Sequence, residues 1–225
     1  TYYKRILVEI VLLEIPTMSR LTIITLSFLF LLNSCDSTQK DSNALDVIKL
    51  HEKSLRNSPD SSFAYLKLAE KYINKNPSIF PDSLRAKNNY LLGLQFKEKG
   101  KLDSAFVRFH LATDFVGDSI IREAQAEYYN EAWFASMTLE KYGDGLVILE
   151  RYRAALGDKN YRKLWLKSFY KDVWTYMQMR HFRKALEINK FQEPLTREID
   201  PINIPNLLIS RADIKYRYLK EKKEA

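Results

Sequence analysis

A helical segment recurs in this chain at a spacing of forty residues. The stretches that begin YLLGLQFKEKG, YYNEAWFASMT and FYKDVWTYMQM align so that Ala105, Gly145 and Ala185 occupy the same place in consecutive units. A fixed period between about 20 and 50 residues is typical of a solenoid, in which each unit is one supersecondary element. Since a single helix pair buries its apolar faces only by stacking on its neighbours, the repeat predicts an all-α fold built by stacking.

The composition favours helix throughout. The 225 residues include only 6 Gly and 7 Pro, the two residues that disfavour helix most. No stretch alternates between apolar and polar residues with a period of two, so strands are not expected. Gly, Pro and Asp mark the breaks between helices. The predicted helices lie near residues 44–57, 60–75, 82–99, 102–116, 119–141, 144–156, 159–180, 182–192 and 205–223.

Residues 89–112 resemble the tetratricopeptide repeat (TPR). The first half of that pattern matches Leu92-Gly93 and Phe96, and the second half matches Ala105, Phe109 and Ala112. Asn89 stands where the family has Trp, and the period exceeds the usual thirty-four residues. The resemblance implies a TPR-like α-solenoid over residues 44–225, with about four repeats and a C-terminal capping helix near 206–222. In the weakest unit, Ala64 is expected in the slot of Ala105.

The repeats differ where the two helices of a pair are expected to cross. A Gly on the first helix would face a small residue of the second, so a larger residue there requires a smaller partner. Trp133 with Gly145 fits such an exchange of volumes, although Gly145 could instead simply loosen a helix start. The predicted pairs are Gly93 with Ala105, Trp133 with Gly145, and Val173 with Ala185.

The resemblance also implies a concave surface lined by the first helix of each pair. Aromatic and Met side chains on such a surface suit extended peptides or helices. In the alternative interpretation, most of these apolar residues form the core between repeats. Helical spacing predicts the following binding residues: Lys87, Tyr90, Leu94, Lys97, Asn130, Phe134, Met137, Lys167, Tyr170, Trp174 and Met177.

The N-terminal region has the pattern of a secretory signal. Met18 is followed by Ser19-Arg20 and by twelve uncharged residues, Leu21 to Leu32. A basic start, a short apolar run and small residues at its end are typical of a signal peptide, and twelve residues are too few to span a bilayer. We therefore expect Met18 to be the true start and residues 1–17 to be upstream sequence. The alternative is an apolar first helix of the folded domain.

The predicted signal ends in Leu32-Asn33-Ser34-Cys35, which resembles a bacterial lipobox. The resemblance implies a signal peptide over 18–34, cleavage before Cys35, a lipid on the Cys35 sulfur and a polar tether over 35–43. Asn33 is larger and more polar than is usual in that motif. The expected location is the cell envelope, on the outer membrane or the periplasmic face of the inner membrane. A buried structural thiol and a catalytic thiol are the alternatives for Cys35.

The chain lacks the motifs of common enzymes and metal sites. The single Cys excludes an internal disulfide, and there is no glycine-rich phosphate loop or G-x-S-x-G elbow. The three His residues are far apart in sequence, so we expect neither a metal site nor a cofactor, and no enzymatic activity. The formal net charge of +8 is spread along the helices, which favours solvated helix faces over the alternative of an anionic membrane surface or acidic ligands. Nucleic acid is not an expected partner of an exported protein.

These features predict an exported, lipid-anchored scaffold that binds another protein or peptide in the bacterial cell envelope. Two alternatives remain. The segment could be the sensor half of a longer TPR-containing regulator, in which case a membrane helix would follow Ala225. It could also be related to the outer-membrane-assembly lipoprotein, a repeat array on a lipid anchor.

Overall fold

The computed structural model describes residues 46–75, 77–116, 123–157 and 161–220. The segments predicted as upstream sequence (1–17), signal peptide (18–34) and tether (35–43), with Cys35, lie outside these ranges. Within them there are helices and short turns but no strand. The helices are α1 (46–56), α2 (Pro59–Lys75), α3 (Asp82–Glu98), α4 (Leu102–Asp114), α5 (Glu123–Thr138), α6 (Tyr142–Leu156), α7 (Arg162–Gln178), α8 (Phe182–Ile199) and α9 (Ile204–Asp213).

The helices form four consecutive pairs: α1 with α2, α3 with α4, α5 with α6, and α7 with α8. From α2 onward each helix packs on the next one along the chain, as expected for units that bury their faces by stacking. A 3₁₀ turn over Pro201–Asn203 leads into α9, which continues as a π-helical segment over Ile214–Leu219. The predicted all-α solenoid of about four pairs with a C-terminal helix is confirmed.

The forty-residue period is visible in the backbone at the ends of α3, α5 and α7. Gly100, Glu140 and Arg180 each have a positive φ, of 68°, 57° and 59°. At each site two amides return to carbonyls of the helix's last turn, the arrangement known as a Schellman motif. These bonds run from Gly100 N to Lys97 O and Lys101 N to Phe96 O, from Glu140 N to Met137 O and Lys141 N to Ser136 O, and from Arg180 N to Met177 O and His181 N to Tyr176 O.

A shared backbone hydrogen bond identifies the small-residue slot of each second helix. The amides of Ala105, Gly145 and Ala185 donate to the carbonyl four residues earlier, at lengths of 3.0–3.1 Å. In α2 the equivalent donor is Ser62, whose amide lies 2.8 Å from the Ser58 carbonyl, and Ser62 is buried. The predicted occupant, Ala64, is exposed. That prediction was wrong by two residues: Ser62 precedes Ala105 by 43 residues, three more than the period of forty, whereas Ala64 precedes it by 41.

The two glycines at the helix crossings have different surroundings. A Cβ on Gly93 would lie 2.5 Å from Cε1 of Phe109, whose ring therefore requires the glycine. The predicted partner of Gly93, Ala105, is not the nearest side chain. A Cβ on Gly145 would lie 3.5 Å from Cδ1 of Trp133, which is ordinary van der Waals contact. Trp133 and Gly145 thus meet as predicted, but Trp133 leaves room for an alanine.

Helix α8 runs through Pro194, so the predicted helix end at residue 192 was wrong. Proline removes one amide donor from a helix. The buried positions of α8 nevertheless continue on both sides of the proline, and the Glu193 carboxylate accepts hydrogen bonds from Arg197 at 2.7 Å and Arg211 at 2.6 Å. Tertiary packing thus outweighs the lost backbone bond. The buried residues are Ala185, Leu186, Asn189, Gln192 and Thr196.

The C-terminal segment covers the fourth pair. Leu207 of α9 and Ile214 of the π-helical segment are fully buried. The side chain of Asn189 on α8 donates to the Leu207 carbonyl at 3.1 Å and accepts from Arg211 at 2.9 Å. These contacts place α9 and the following turn as the predicted cap.

Candidate protein-binding surface

The predicted binding residues occupy three helices that lie side by side. They fall on the first helix of the second, third and fourth pairs, which are α3, α5 and α7. Lys97 of α3 forms an ion pair with Glu131 of α5 at 2.7 Å. Trp133 of α5 meets Trp174 of α7 edge to face, with ring centroids 5.5 Å apart. The repeat therefore brings residues separated by about forty positions onto one surface.

An exposed aromatic pair stands out on this surface. Phe134 and Trp174 have the same place in consecutive repeats, and they are 48% and 43% exposed. Leu94 has the equivalent place on α3 and is half-buried. The Lys97 ammonium lies 5.0 Å from the centroid of the Phe134 ring. The same ammonium forms the ion pair with Glu131, so a positive and a negative charge lie beside the ring. Aromatic rings exposed in this way offer apolar contact area beside charge.

A half-buried lysine lies next to the aromatic pair. The Lys171 ammonium donates a hydrogen bond to the side-chain oxygen of Asn130 and lies 4.7 Å from the centroid of the Trp133 ring. Burial lowers the pKa of Lys171 to about 8, while the nearby carboxylates of Glu127 and Glu131 act in the opposite direction. Partial desolvation makes this ammonium a stronger electrostatic partner for an acceptor than a fully solvated lysine would be.

Tyr90 forms the base of the surface on the α3 side. Its ring packs at 4.6 Å on that of Tyr128, and it is half-buried against the main apolar cluster. Burial raises the pKa of the Tyr90 hydroxyl, with Glu131 and Glu127 adding to the effect. Tyr90 is therefore held neutral, and its hydroxyl can donate a hydrogen bond.

Three predicted binding residues belong mainly to the core. Met137 is only 7% exposed, because its sulfur lies between the second helix of its own pair and Thr175, whose hydroxyl is 3.5 Å away. Met177 packs into the cluster around Val173, and the Tyr170 hydroxyl hydrogen-bonds to Thr196 at 3.2 Å. The interpretation that apolar residues of this set form the core holds for Met137 and, in part, for Met177.

The remaining predicted residues flank the aromatic pair. Lys87 is half-buried and Lys167 is exposed, and each lies about two helical turns before Leu94 or Trp174 on the same helix. The structure thus brings Lys97 against Phe134, Asn130 against Lys171, and Trp174 against Trp133 on this surface.

Four residues of the surface were not predicted from the sequence. They are Glu127, Glu131, Trp133 and Lys171, which supply both carboxylates, one ring and the half-buried ammonium. A signal was present, because Glu131 and Lys171 share one slot of the forty-residue period. In the second unit, which matches the TPR pattern best, that slot holds the buried Leu91. The best-matching repeat therefore gives no indication that the slot holds charged residues in the later units.

The described ranges contain neither a candidate metal site nor a candidate membrane span. No group of three or more His, Cys, Asp or Glu side chains is placed there to hold a metal ion. None of the helices described is both long enough and apolar enough to cross a membrane.

No protein-family profile and no curated protein matches the sequence. One solved structure matches in fold: the crystal structure of a point variant of a Podosopora anserina protein, classed as a kinesin light chain with nearly identical TPR-like repeats. The superposition has a TM-score of 0.52 at 14% identity and covers 79% of this chain and 87% of that chain. Such identity concerns the fold alone. The chain therefore has a TPR-like helical-repeat fold.

Proposed function

We propose that this chain is a lipid-anchored, exported scaffold that binds a protein or peptide segment in the bacterial cell envelope. The observation that supports it best is the exposed pair Phe134 and Trp174, set among charged groups on adjacent first helices. Large exposed apolar side chains in a cluster mark interaction sites more often than isolated ones do. The proposal assigns the chain no catalytic role.

The chemistry of the surface favours a partner segment with both apolar and charged side chains. Phe134 and Trp174 supply aromatic anchors, the residue types that dominate binding hot spots. Glu127 and Glu131 would pair with basic groups, and Lys171 would donate to a backbone carbonyl or carboxylate. An extended or helical peptide that lies across α3, α5 and α7 meets all three kinds of group.

Site-specific crosslinking tests the binding surface. A photoreactive amino acid at position 134 or 174 is expected to crosslink a discrete envelope protein in living cells. Positions 107 and 147 are matched controls, because Val107 and Val147 are 53% and 52% exposed, lie forty residues apart, and belong to the second helices. Crosslinks of equal yield to the same protein from both sets would contradict a surface on the first helices.

Substitution then measures how much Phe134 and Trp174 contribute to the affinity for the crosslinked partner. The double variant Phe134→Ala with Trp174→Ala is expected to weaken binding of the crosslinked partner about 30-fold or more, which is a hot-spot effect of about 2 kcal/mol. The double variant Val107→Ala with Val147→Ala is expected to bind as the wild type does. Because all four side chains are largely exposed, the melting temperature should change little in either variant.

The anchor rests on the lipobox resemblance at Cys35 and is tested independently. If residues 36–43 form a flexible tether, their reach is about 15 Å, so the repeat would lie close to the membrane. Metabolic labelling with a palmitate analogue is expected to label the wild type, and Cys35→Ala is expected to abolish the label. Equal labelling of both proteins would end the lipoprotein interpretation and would leave the binding surface unaffected.

A further inference from the structure

A cavity of about 220 Å³ lies between the first and second helix pairs, away from the aromatic pair. Helices α2, α3 and α4 form its walls. Its lining divides into a polar side, with Arg85, Asn88 and Arg108, and an apolar side, with Ile73, Leu111 and Phe115. At about 30 Å³ for each water of the liquid, the volume corresponds to roughly seven waters. The cavity therefore suits a small solute better than a drug-sized ligand.

The one carboxylate in the cavity wall is already occupied. Glu70 accepts hydrogen bonds from the Lys67 ammonium at 2.7 Å and from the Arg108 guanidinium. These bonds lower the pKa of Glu70 despite its partial burial, so it stays ionised and paired. Glu70 thus offers little acceptor capacity to a ligand.

The buried hydrogen bonds around the cavity leave donors, not acceptors, on its polar side. The Asn88 side-chain oxygen accepts from Nε2 of the fully buried His51 at 3.0 Å, which leaves the Asn88 amide group as the donor end. Both ends of Asn89 are engaged: its oxygen accepts from Arg108, and its amide donates to the Arg85 carbonyl, each at 3.0 Å.

The two guanidinium groups are held in place and still have donors to spare. Arg85 lies over the Phe115 ring, 4.1 Å from its centroid, and uses one nitrogen to bond the exposed Asp82 at 3.1 Å. Arg108 reaches both Glu70 and Asn89 through a single nitrogen. A guanidinium has five N–H donors, so each group keeps N–H bonds that a planar anion can accept.

We propose that this cavity binds a small organic acid, with its carboxylate on Arg85, Arg108 and Asn88 and a short branched apolar tail against Ile73, Leu111 and Phe115. Glu70, the carboxylate of the wall, is already paired, and apart from the exposed Asn74 the other polar side chains present donors. A carboxylate ligand supplies acceptors in the planar form that guanidinium groups prefer. The apolar wall excludes a ligand that is charged at both ends. This site is independent of the proposed protein-binding surface.

Ligand-observed NMR on the full chain tests the proposal with 4-methylpentanoate and its neutral isostere 4-methylpentanamide. The acid is expected to bind at least ten-fold more tightly than the amide, and added salt should weaken only the acid. Acetate, which lacks the tail, should bind more weakly than 4-methylpentanoate. If the acid and the amide bind alike, or if neither binds, the proposal is overturned.

Two arginine variants separate the site from general charge effects. Arg85→Gln is expected to weaken binding of the acid at least ten-fold while the circular dichroism spectrum stays unchanged, because within the described ranges Arg85 forms an ion pair only with the exposed Asp82. Arg85→Lys should recover part of the affinity. The matched control is Arg151→Gln, since Arg151 also pairs with a largely exposed carboxylate, that of Asp114 at 2.8 Å, and lies on α6. Equal loss in Arg85→Gln and Arg151→Gln would also overturn the proposal.

Discussion

The second and fourth helix pairs share a backbone plan but have different interiors. Both pairs join their helices through the same Schellman turn, at Gly100 and Arg180. In the second pair, Phe109 fills the slot that faces the neighbouring helix, whereas the fourth pair has Asn189 in that slot, eighty residues later, and both are buried. Ser168, Asp172, Thr175, Gln192 and Thr196 are further buried polar side chains of the fourth pair, beside the apolar Leu166, Val173, Ala185 and Leu186.

The difference shows that these repeats share their turn geometry, while the proportion of polar residues in their interiors varies. A polar interior is stable where its groups find partners, because an unpaired buried polar group costs about 1–3 kcal/mol. Here Asn189 bonds the cap at Leu207 and Arg211, and Asp172 pairs with Arg153 at 2.7 Å. The buried polar groups of the fourth pair therefore find partners on its neighbours, whereas Phe109 of the second pair lies in an apolar cluster that continues into the third pair.

The largest effect on the free energy of unfolding should come from truncating the side chain in the slot that Phe109 and Asn189 occupy. Phe109→Ala is expected to lower the free energy of unfolding by about 3–5 kcal/mol, since it leaves a large cavity in an apolar core. Asn189→Ala is expected to cost about 1–3 kcal/mol, because it leaves the Leu207 carbonyl without this donor and removes one of the hydrogen bonds of Arg211. Denaturant titration measures both. A greater loss for Asn189→Ala would reverse the comparison.

The next effect depends on pH and belongs to the fourth pair alone. Burial raises the pKa of Asp172 to about 6, although Arg153 opposes the shift. The native state therefore binds this proton more tightly than the unfolded chain, so the stability is full at low pH. It falls by roughly 2–3 kcal/mol as the pH rises from about 4 to about 6.

Asp172→Asn removes this titration and isolates it. We expect the unfolding free energy of the variant, relative to that of the wild type, to increase between about pH 4 and pH 6, since other titrating groups cancel in the difference. The second pair has the fully buried Leu92 in the equivalent slot. Parallel pH profiles for variant and wild type would show that Asp172 does not titrate as proposed.

Alanine substitutions of Gly93 and Gly145 should change the stability by an intermediate amount and in opposite directions. Gly93→Ala is expected to destabilise the chain by about 1–3 kcal/mol, because the new Cβ would overlap the Phe109 ring. Gly145→Ala is expected to stabilise it by up to about 1 kcal/mol, since the Cβ fits and alanine is the better helix former. Thermal unfolding of the two single variants would refute this account if both changed stability in the same direction.

The smallest effect concerns the turns. Glu140→Gly and Arg180→Gly are each expected to stabilise the chain by about 0.5–1 kcal/mol, because both residues have a positive φ that favours glycine. Gly100→Ala should cost about 1 kcal/mol for the same reason. The three changes together test whether the turns are equivalent. A loss of stability in either glycine variant would show that the native side chain contributes more than its backbone strain costs.

The sequence was sufficient to predict the helix pairs because the period, the breaks and the apolar spacing all agreed. It was misleading where tertiary packing outweighs the tendency of proline to end a helix, since Pro194 lies inside α8. It also misplaced the first small-residue slot by two residues, at Ala64 instead of Ser62, since the first unit matches the repeat pattern weakly and is longer than the others. Ser62 could have been found only from the backbone hydrogen bond that defines the slot.

The binding surface was less predictable than the fold. Helical spacing identifies the side of a helix but not the depth of each residue, so Met137 was predicted on the surface although it is buried. Lys171 and Glu131 were missed because their contacts join residues about forty positions apart. Only the stacked structure shows which charges meet across neighbouring units.

Packing of each helix on its neighbours in the chain has a kinetic consequence. When contacting residues are close in sequence, little loop entropy is lost before a contact forms, and such helical proteins fold in about microseconds to milliseconds. Any pair can nucleate, and order then spreads along the chain as in a one-dimensional lattice. Among the described helices, α1 and α9 lie at the two ends of the stack, so they are expected to exchange their amide hydrogens before the helices between them.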